Sequence, residues 1–193
     1  MSKAGFIEVL AGVESGSERI LRYHLKGSSP EINTEAMRII GMSGMKYKAL
    51  TMLGHPGETL DDINLAKKWL LNAAKEYEKI CGWGKFSFDL SLFQPFPGSP
   101  IWNKSKKNFD KFSDKFKWVY STNRGEENNK ICGPSKIYFN KIDFSNAPTF
   151  YKGKPGEYIV NIRTEEVSSE EFANLRDKIE KEVRGEIGLK SLI

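Results

Sequence analysis

The sequence predicts an α/β fold in which a parallel sheet of about three strands carries helices on its outer side. Strand-like and helix-like segments alternate through the first hundred residues, and the connectors between them are short. Strands that are joined through helices form parallel sheets against which those helices pack. This alternation alone predicts either a doubly wound fold or part of a (β/α) barrel.

The first strand and helix lie close to the start of the sequence. Residues 5–13, GFIEVLAGV, form a continuous apolar run with β-branched residues, which is typical of a buried parallel strand. Residues 15–18, SGSE, match the S-x-x-E capping box, so we expect a helix that starts there and ends at Gly27. The predicted apolar face of this helix holds Ile20, Leu21, His24 and Leu25.

Two further helices flank the second strand. Ser29 as N-cap and Pro30 at the first helical position predict the second helix. Residues 47–53, YKALTML, predict a strand. A long helix follows over about residues 60–79, because residues 59–62 form a cap and apolar residues recur at helical spacing after them.

The third strand precedes a change in the character of the chain. Residues 85–93, KFSFDLSLF, alternate apolar and polar side chains, and the proline-rich residues 94–100, QPFPGSP, cannot continue a strand. We therefore predict one α/β unit in residues 1–102, either doubly wound or part of a (β/α) barrel, and a C-terminal extension in residues 103–193.

The C-terminal extension is predicted to be irregular α+β. Short strand-like pieces occur between residues 136 and 163, and Ser168 caps a charged terminal helix that reaches about residue 184. Residues 104–118 interleave lysines with aromatic residues, a pattern that nucleic-acid-binding segments also show. The helical spacing of Phe109, Phe112 and Phe116 favours instead an amphipathic helix with solvated lysines, so nucleic acid is not the expected partner.

Composition restricts the classes of function. The 193 residues carry a net charge of +5, contain 39% hydrophobic residues and include no run long enough to span a membrane. The start of the sequence lacks the features of a signal peptide, so we expect a cytoplasmic protein. The two cysteines, Cys81 and Cys132, and the two histidines show no ligand spacing, so no metal site of the chain's own is expected.

Three loops carry the candidate chemistry. VESGS, GHPGET and QPFPGSP each follow a predicted strand and combine glycine or proline with hydrogen-bonding side chains. Ligands of parallel α/β folds bind at the carboxyl ends of the strands, where glycines allow close approach and helix N-termini offer free N–H groups. The carboxylates of Glu14 and Glu58 in these loops suit ribose hydroxyls or a cationic amino group.

The three loops also resemble a known family. GVESGSERIL with the following KG, then TMLGHPGETLDD, then LFQPFPGSPIW look like the second half of a radical S-adenosylmethionine core. The similarity covers roughly residues 5–102 and is strongest to the branch whose full-length members often bind cobalamin. It implies a partial (β/α) barrel and an S-adenosylmethionine pocket at the carboxyl ends of the strands.

The resemblance implies specific cofactor-binding residues. The strand-end motif ESGS implies contacts to the ribose and methionine end of S-adenosylmethionine. The second motif implies the adenine side of the pocket, and the third implies backbone contacts over residues 93–98. The implied residues are Glu14, Ser15 and Ser17, then Gly54, Gly57 and Glu58, then Gln94.

The chain departs from the family at the iron–sulfur cluster. The family holds a four-iron, four-sulfur cluster through a C-x-x-x-C-x-x-C motif, and this sequence has no such motif. Two distant cysteines cannot supply three thiolate ligands. We therefore expect a fragment or split subunit that is inactive alone and pairs with a complementary N-terminal half through its unpaired first strand. The alternative is a non-catalytic module, derived from the half-barrel, that binds a nucleotide or a protein.

Overall fold

The computed structural model describes residues 1–24, 26–55, 57–94, 164 and 166–188, together with the backbone of four two-residue strands between residues 119 and 163. The predicted α/β fold is confirmed, and its elements are a 3₁₀ turn (Ser2–Ala4), β1 (Glu8–Glu14), α1 (Glu18–Tyr23), α2 (Pro30–Met42), β2 (Lys46–Leu53), α3 (Leu60–Cys81), β3 (Phe86–Leu92), β4 (Val119–Tyr120), β5 (Ile131–Cys132), β6 (Tyr138–Phe139), β7 (Ile162–Arg163) and α4 (Ser169–Glu186).

The central feature is a three-stranded parallel sheet. Its strands follow the chain order β1-β2-β3, and Ala49 of β2 lies between Ala11 of β1 and Phe88 of β3. Adjacent parallel strands joined through helices, with their order unchanged, are the arrangement of a (β/α) barrel. The sheet with its flanking helices is therefore consistent with part of such a barrel.

The helices α2, α3 and α4 share one hydrophobic core with one face of the sheet. From β2 and β3 this face contributes fully buried side chains, and the helices add Met37, Leu70 and Phe172. The opposite face is more polar and only half-buried, with Lys48 and Asp89 in an ion pair of 3.0 Å. We call the two sides the helix-covered face and the open face. In a barrel, the open face would be the interior.

Most of the predicted helix caps are confirmed. Ser29 accepts a hydrogen bond from the N–H of Ile32, and both Thr59 with Asp62 and Ser168 with Glu171 form complete capping boxes. The first helix differs from its prediction, because Ser17 rather than Ser15 is its N-cap. The S-x-x-E pattern failed here because the side chain of Ser15 instead accepts a hydrogen bond from the N–H of Ser17.

Helix α4 closes the outer edge of β3. Arg176 Nε donates to the carbonyl oxygen of Leu90 at 2.9 Å, and Arg184 donates to that of Phe88 at 3.4 Å. Glu180, 1% exposed, pairs with both arginines. Two carbonyls that a further strand would use are therefore already occupied by side chains of the chain itself.

The remaining predictions for the C-terminal part are tested only in pieces. Short antiparallel pairs β4–β5 and β6–β7 are present, and α4 shares the core of the sheet. The predicted amphipathic helix of residues 104–118 lies outside the described residues, and the boundary between residues 102 and 103 stays a prediction. Within the described ranges, no helix has the length and apolar character needed to cross a membrane.

Candidate functional site

Glu14 lies at the carboxyl end of β1 in an unusual backbone conformation. Its φ of 63° is the one positive value at a residue other than glycine in the described part of the chain. The register of β1 against β2 shifts between Gly12 and Glu14, so the strand bulges there. Left-handed conformations cost a non-glycine residue about 1 kcal/mol or more, and such strain concentrates at functional sites.

The bulge lays the carboxylate of Glu14 over Gly12. A Cβ atom added to Gly12 would lie 2.6 Å from Glu14 Oε1 and 3.0 Å from Lys26 Nζ. Lys26 itself pairs with Glu14 Oε1 at 2.7 Å, and both side chains are partly exposed. Gly12, like Leu10, lies on the open face of β1. The carboxylate of Glu14 and the ammonium of Lys26, which both lie next to Gly12, therefore lie side by side at the open face.

The loop after β2 is held by a buried carboxyl group. Glu58 is fully buried, and its Oε2 accepts the N–H of Gly54 at 2.6 Å. Gly54 and Gly57 have φ values of 82° and 73°, which explains why glycine stands at both positions. Burial raises the pKa of Glu58 to about 8, so this side chain is neutral near pH 7 and holds the loop from within.

Two histidines connect the first two strand ends. His55 Nδ1 lies 2.9 Å from His24 Nε2, and His55 Nε2 lies 3.4 Å from the carbonyl oxygen of Glu14. Burial, together with the neighbouring His24, lowers the pKa of His55 to about 3, and burial also lowers the pKa of His24. The ring of Phe93, just after β3, lies 5.8 Å from both imidazoles. All three strand ends therefore meet in one packed cluster.

The two predicted serines lie within the protein rather than at its surface. Ser15 and Ser17 are at most 1% exposed, and Ser17 Oγ donates to Asp62 Oδ1 at 2.6 Å. Asp62 also pairs with Arg19, which donates to the carbonyl oxygen of Gly57 at 2.9 Å. Burial acts to raise the pKa of Asp62, but hydrogen bonds from Arg19, Ser17 and Thr59 outweigh it and lower the pKa. Asp62 thereby ties the loop after β1 to the loop after β2.

Removal of the Asp62 side chain should measurably lower the free energy of unfolding. We expect Asp62→Ala to lower the free energy of unfolding by about 2–3 kcal/mol, since it removes a helix cap and leaves the buried Ser17 hydroxyl without its acceptor. Urea unfolding followed by circular dichroism measures this. Asp61→Ala, an exposed change in the same helical turn, is the matched control and should cost no more than about 0.5 kcal/mol. Equal losses in the two variants would contradict the role of Asp62.

The structure separates the predicted site residues into two groups. Glu14, Gly54, Gly57, Glu58 and the half-buried Gln94 all lie at the carboxyl edge of the sheet. Ser15 and Ser17 lie at the same edge, but their side chains are buried and form hydrogen bonds within the protein.

Sequence reasoning missed the contacts of Lys26, of Asp62 and of the histidine pair. It took Lys26 and His24 as parts of a helix and its end. The early end of α1 at Tyr23, which leaves both residues free to turn toward β1, has no clear signal in the sequence.

An iron–sulfur cluster does not fit the residues that are described. No group of three or more potential ligands (His, Cys, Asp, Glu) that could hold a metal ion occurs in this part of the chain. Cys81 lies at the opposite, amino edge of the sheet, where its Sγ is 3.4 Å from the carbonyl oxygen of Met45.

The chain is distantly similar to a known protein. No family model matches the chain. Over 108 residues, or 56% of the chain, it is 24% identical to an uncharacterized methyltransferase of Pyrococcus horikoshii. The chain spans only 21% of the length of that protein.

Proposed function

We propose that the carboxyl edge of this sheet forms part of an S-adenosylmethionine pocket in a radical S-adenosylmethionine enzyme of methyltransferase type. The observation that carries the proposal is the pair of Glu14 and Lys26 over Gly12, set by a strained backbone at the open face. The distant methyltransferase relative supports it, because S-adenosylmethionine is the common methyl donor.

The chemistry of the pair suits this ligand. The carboxylate of Glu14 can accept hydrogen bonds from ribose hydroxyls or from the α-amino group, and the ammonium of Lys26 can meet the α-carboxylate. Gly54 at the next strand end takes a positive φ, and a Cβ atom there would be in van der Waals contact with Phe93 and Phe172 at 3.8–4.0 Å, so this loop packs closely behind the pair. The buried Glu58 and the His24–His55 pair would fix this loop in place without touching the ligand.

In this proposal, the chain forms part of the cofactor pocket, and another polypeptide segment holds the iron–sulfur cluster. A four-iron, four-sulfur cluster supplies the reductive cleavage in the family that the sequence resembles, and this sequence lacks the C-x-x-x-C-x-x-C motif that holds it there. The chain's own residues would bind and orient the cofactor. The ligand set would come from a complementary half.

The proposal predicts weak but specific binding by the full 193-residue chain. With one wall of the pocket present, we expect a dissociation constant on the order of 0.1–1 mM, which corresponds to about −4 to −5.5 kcal/mol. Glu14→Gln should weaken binding about tenfold or more, because it removes the charge that Lys26 and the ligand share. Equilibrium dialysis with labelled S-adenosylmethionine measures both values.

Two controls make this test specific. Glu35→Gln removes an exposed carboxylate of α2, with a side chain 60% exposed, and should leave the affinity unchanged. Adenosine should bind clearly more weakly than S-adenosylmethionine. Equal affinity for adenosine would favour the alternative of a non-catalytic nucleotide-binding module, and no saturable binding of either ligand would refute both functions.

A further inference from the structure

The two edges of the sheet are not equivalent. On β3, the N–H of Phe93 donates to Leu53 and the carbonyl oxygen of Lys85 accepts from Tyr47, so the odd-numbered residues of this strand face β2. The carbonyls of Phe88 and Leu90 therefore face outward, where the arginines of α4 occupy them. A further strand cannot add at this edge without displacing α4.

The edge of β1 has no such cover in the described part of the chain. The carbonyl oxygen of Ile7 accepts from Lys46 of β2, so the backbone groups of Leu10 and Gly12 face outward. Leu10 of β1 is 56% exposed, which is unusual for a large apolar side chain of a parallel strand, and Phe6 and Ile7 just before β1 are 54% and 76% exposed. An exposed strand edge with apolar side chains is a surface for pairing with another strand.

Helix α2 adds an apolar stripe on the same side. Thr34 faces α3, because its hydroxyl accepts the indole N–H of Trp69 at 3.0 Å. At 100° per residue, Ile32, Ala36 and Ile39 lie about 140–200° around the helix from Thr34 and so point away from α3. Ile32 and Ile39 are 57% and 55% exposed. The strand edge and this stripe together form what we call the β1 side.

We propose that a second copy of this chain docks on the β1 side. A two-fold axis perpendicular to the sheet would pair β1 with β1 in antiparallel fashion and bring the two α2 stripes together on the same face. Such an isologous interface needs only one self-complementary surface, and two-fold dimers are the commonest oligomers. Because α4 blocks the edge of β3, the assembly closes at two copies and yields a six-stranded sheet.

The exposed area is sufficient for this arrangement. Phe6, Ile7, Leu10, Ile32 and Ile39 together expose on the order of 500 Å² in each copy. Leu10 lies on the open face and the α2 stripe on the helix-covered face, so full burial of these side chains in two copies is an upper limit, on the order of 1,000 Å², at the lower end of the range of specific interfaces. The dimer does not depend on cofactor binding. A complementary half would pair with the same edge, so it would replace the second copy rather than join it.

The oligomeric state of the full chain tests the inference. Light scattering after gel filtration should give twice the chain mass of 21.9 kDa. Ile39→Asp should raise the dimer dissociation constant on the order of 100-fold, because each interface would bury two unpaired carboxylates. Trp83→Asp, a change at a side chain 69% exposed on the β3 side, should leave the dimer intact. Circular dichroism should show that both variants keep their fold.

Amide exchange locates the contact within the chain. In the wild type, the amides of Leu10 and Gly12 should exchange slowly, and in Ile39→Asp they should exchange at least about tenfold faster. A monomeric wild type, or a dimer that persists in both Ile39→Asp and Ile7→Asp, would overturn the inference. Because S-adenosylmethionine binding is measured separately, failure of the dimer leaves the proposed function standing.

Discussion

Raising the pH from 6.5 to 8.5 should lower the free energy of unfolding by about 2 kcal/mol, and Glu58→Gln should abolish that loss. Glu58 is fully buried in the loop that follows β2, and burial raises its pKa to about 8. Equilibrium denaturation in urea at half-unit steps of pH measures the effect, and the amide of the variant preserves an acceptor for the N–H of Gly54.

The sign follows from proton binding. In the unfolded chain Glu58 has its ordinary pKa of 4.5, whereas in the folded chain burial raises this pKa to about 8. Between these two pKa values the folded state binds more protons, so the contribution of Glu58 to stability is greatest below pH 4.5 and is lost as the pH rises through 8. A wild-type slope that persists unchanged in Glu58→Gln would show that another group is responsible.

The histidine pair acts in the opposite direction. The pKa values of His55 and His24 are both lowered, so the unfolded state binds more protons below pH 6.5 and stability falls as the pH decreases. In Glu58→Gln, the loss of stability below pH 6.5 should be measured without the opposing contribution of Glu58. The wild type should therefore be most stable close to pH 6.5.

Glu180→Ala should lower the free energy of unfolding by about 3–5 kcal/mol. Glu180 is 1% exposed and pairs with Arg176 and Arg184, the two arginines that donate to the outer carbonyls of β3. Its removal leaves Arg184 beside a low-dielectric core without the carboxylate it pairs with, while Arg176 keeps its ion pair with Asp177 at 2.8 Å. An uncompensated buried charge of this kind is strongly destabilising. Thermal and urea unfolding both measure the loss.

A neighbouring carboxylate on the same helix serves as the control. Glu182 pairs with Lys67 at the surface, with both side chains about one third exposed, so Glu182→Ala should cost only about 0–1 kcal/mol. If Glu180→Ala and Glu182→Ala were equally stable, the ion pairs of Glu180 would not be what holds α4 on the edge of β3. The blocked edge that limits the proposed assembly to two copies would then lose its support.

The fold was accessible from the sequence because its signals are local. The caps at Ser29, Thr59 and Ser168 and the apolar runs of the strands each depend on residues within one element. Gly54 and Gly57 mark the loop after β2 in the sequence, where they were predicted to allow close approach of a ligand; in the structure both also have positive φ values.

The contacts within the site were not accessible, because they depend on packing between distant segments. Nothing near Glu14 in the sequence indicates that Lys26 returns to it, and nothing near Ser17 indicates Asp62 as its acceptor. Likewise, Arg176 and Arg184 have the appearance of solvated charges on a terminal helix, and only the docking of α4 on β3 buries them. The same docking could not be expected from an extension that was predicted as separate from the sheet.

The central claim, an S-adenosylmethionine pocket at the carboxyl edge of the sheet, is tested most directly by nuclear magnetic resonance of the ¹⁵N-labelled full chain during titration with the cofactor. Saturable shifts are predicted for the amides of Gly12, Glu14 and Gly54, with none at Gly44 and Gly82 on the opposite edge. Absence of shifts, or shifts confined to the cavity of about 280 Å³ beside Leu60 and Leu175, between α3 and α4, would contradict the claim.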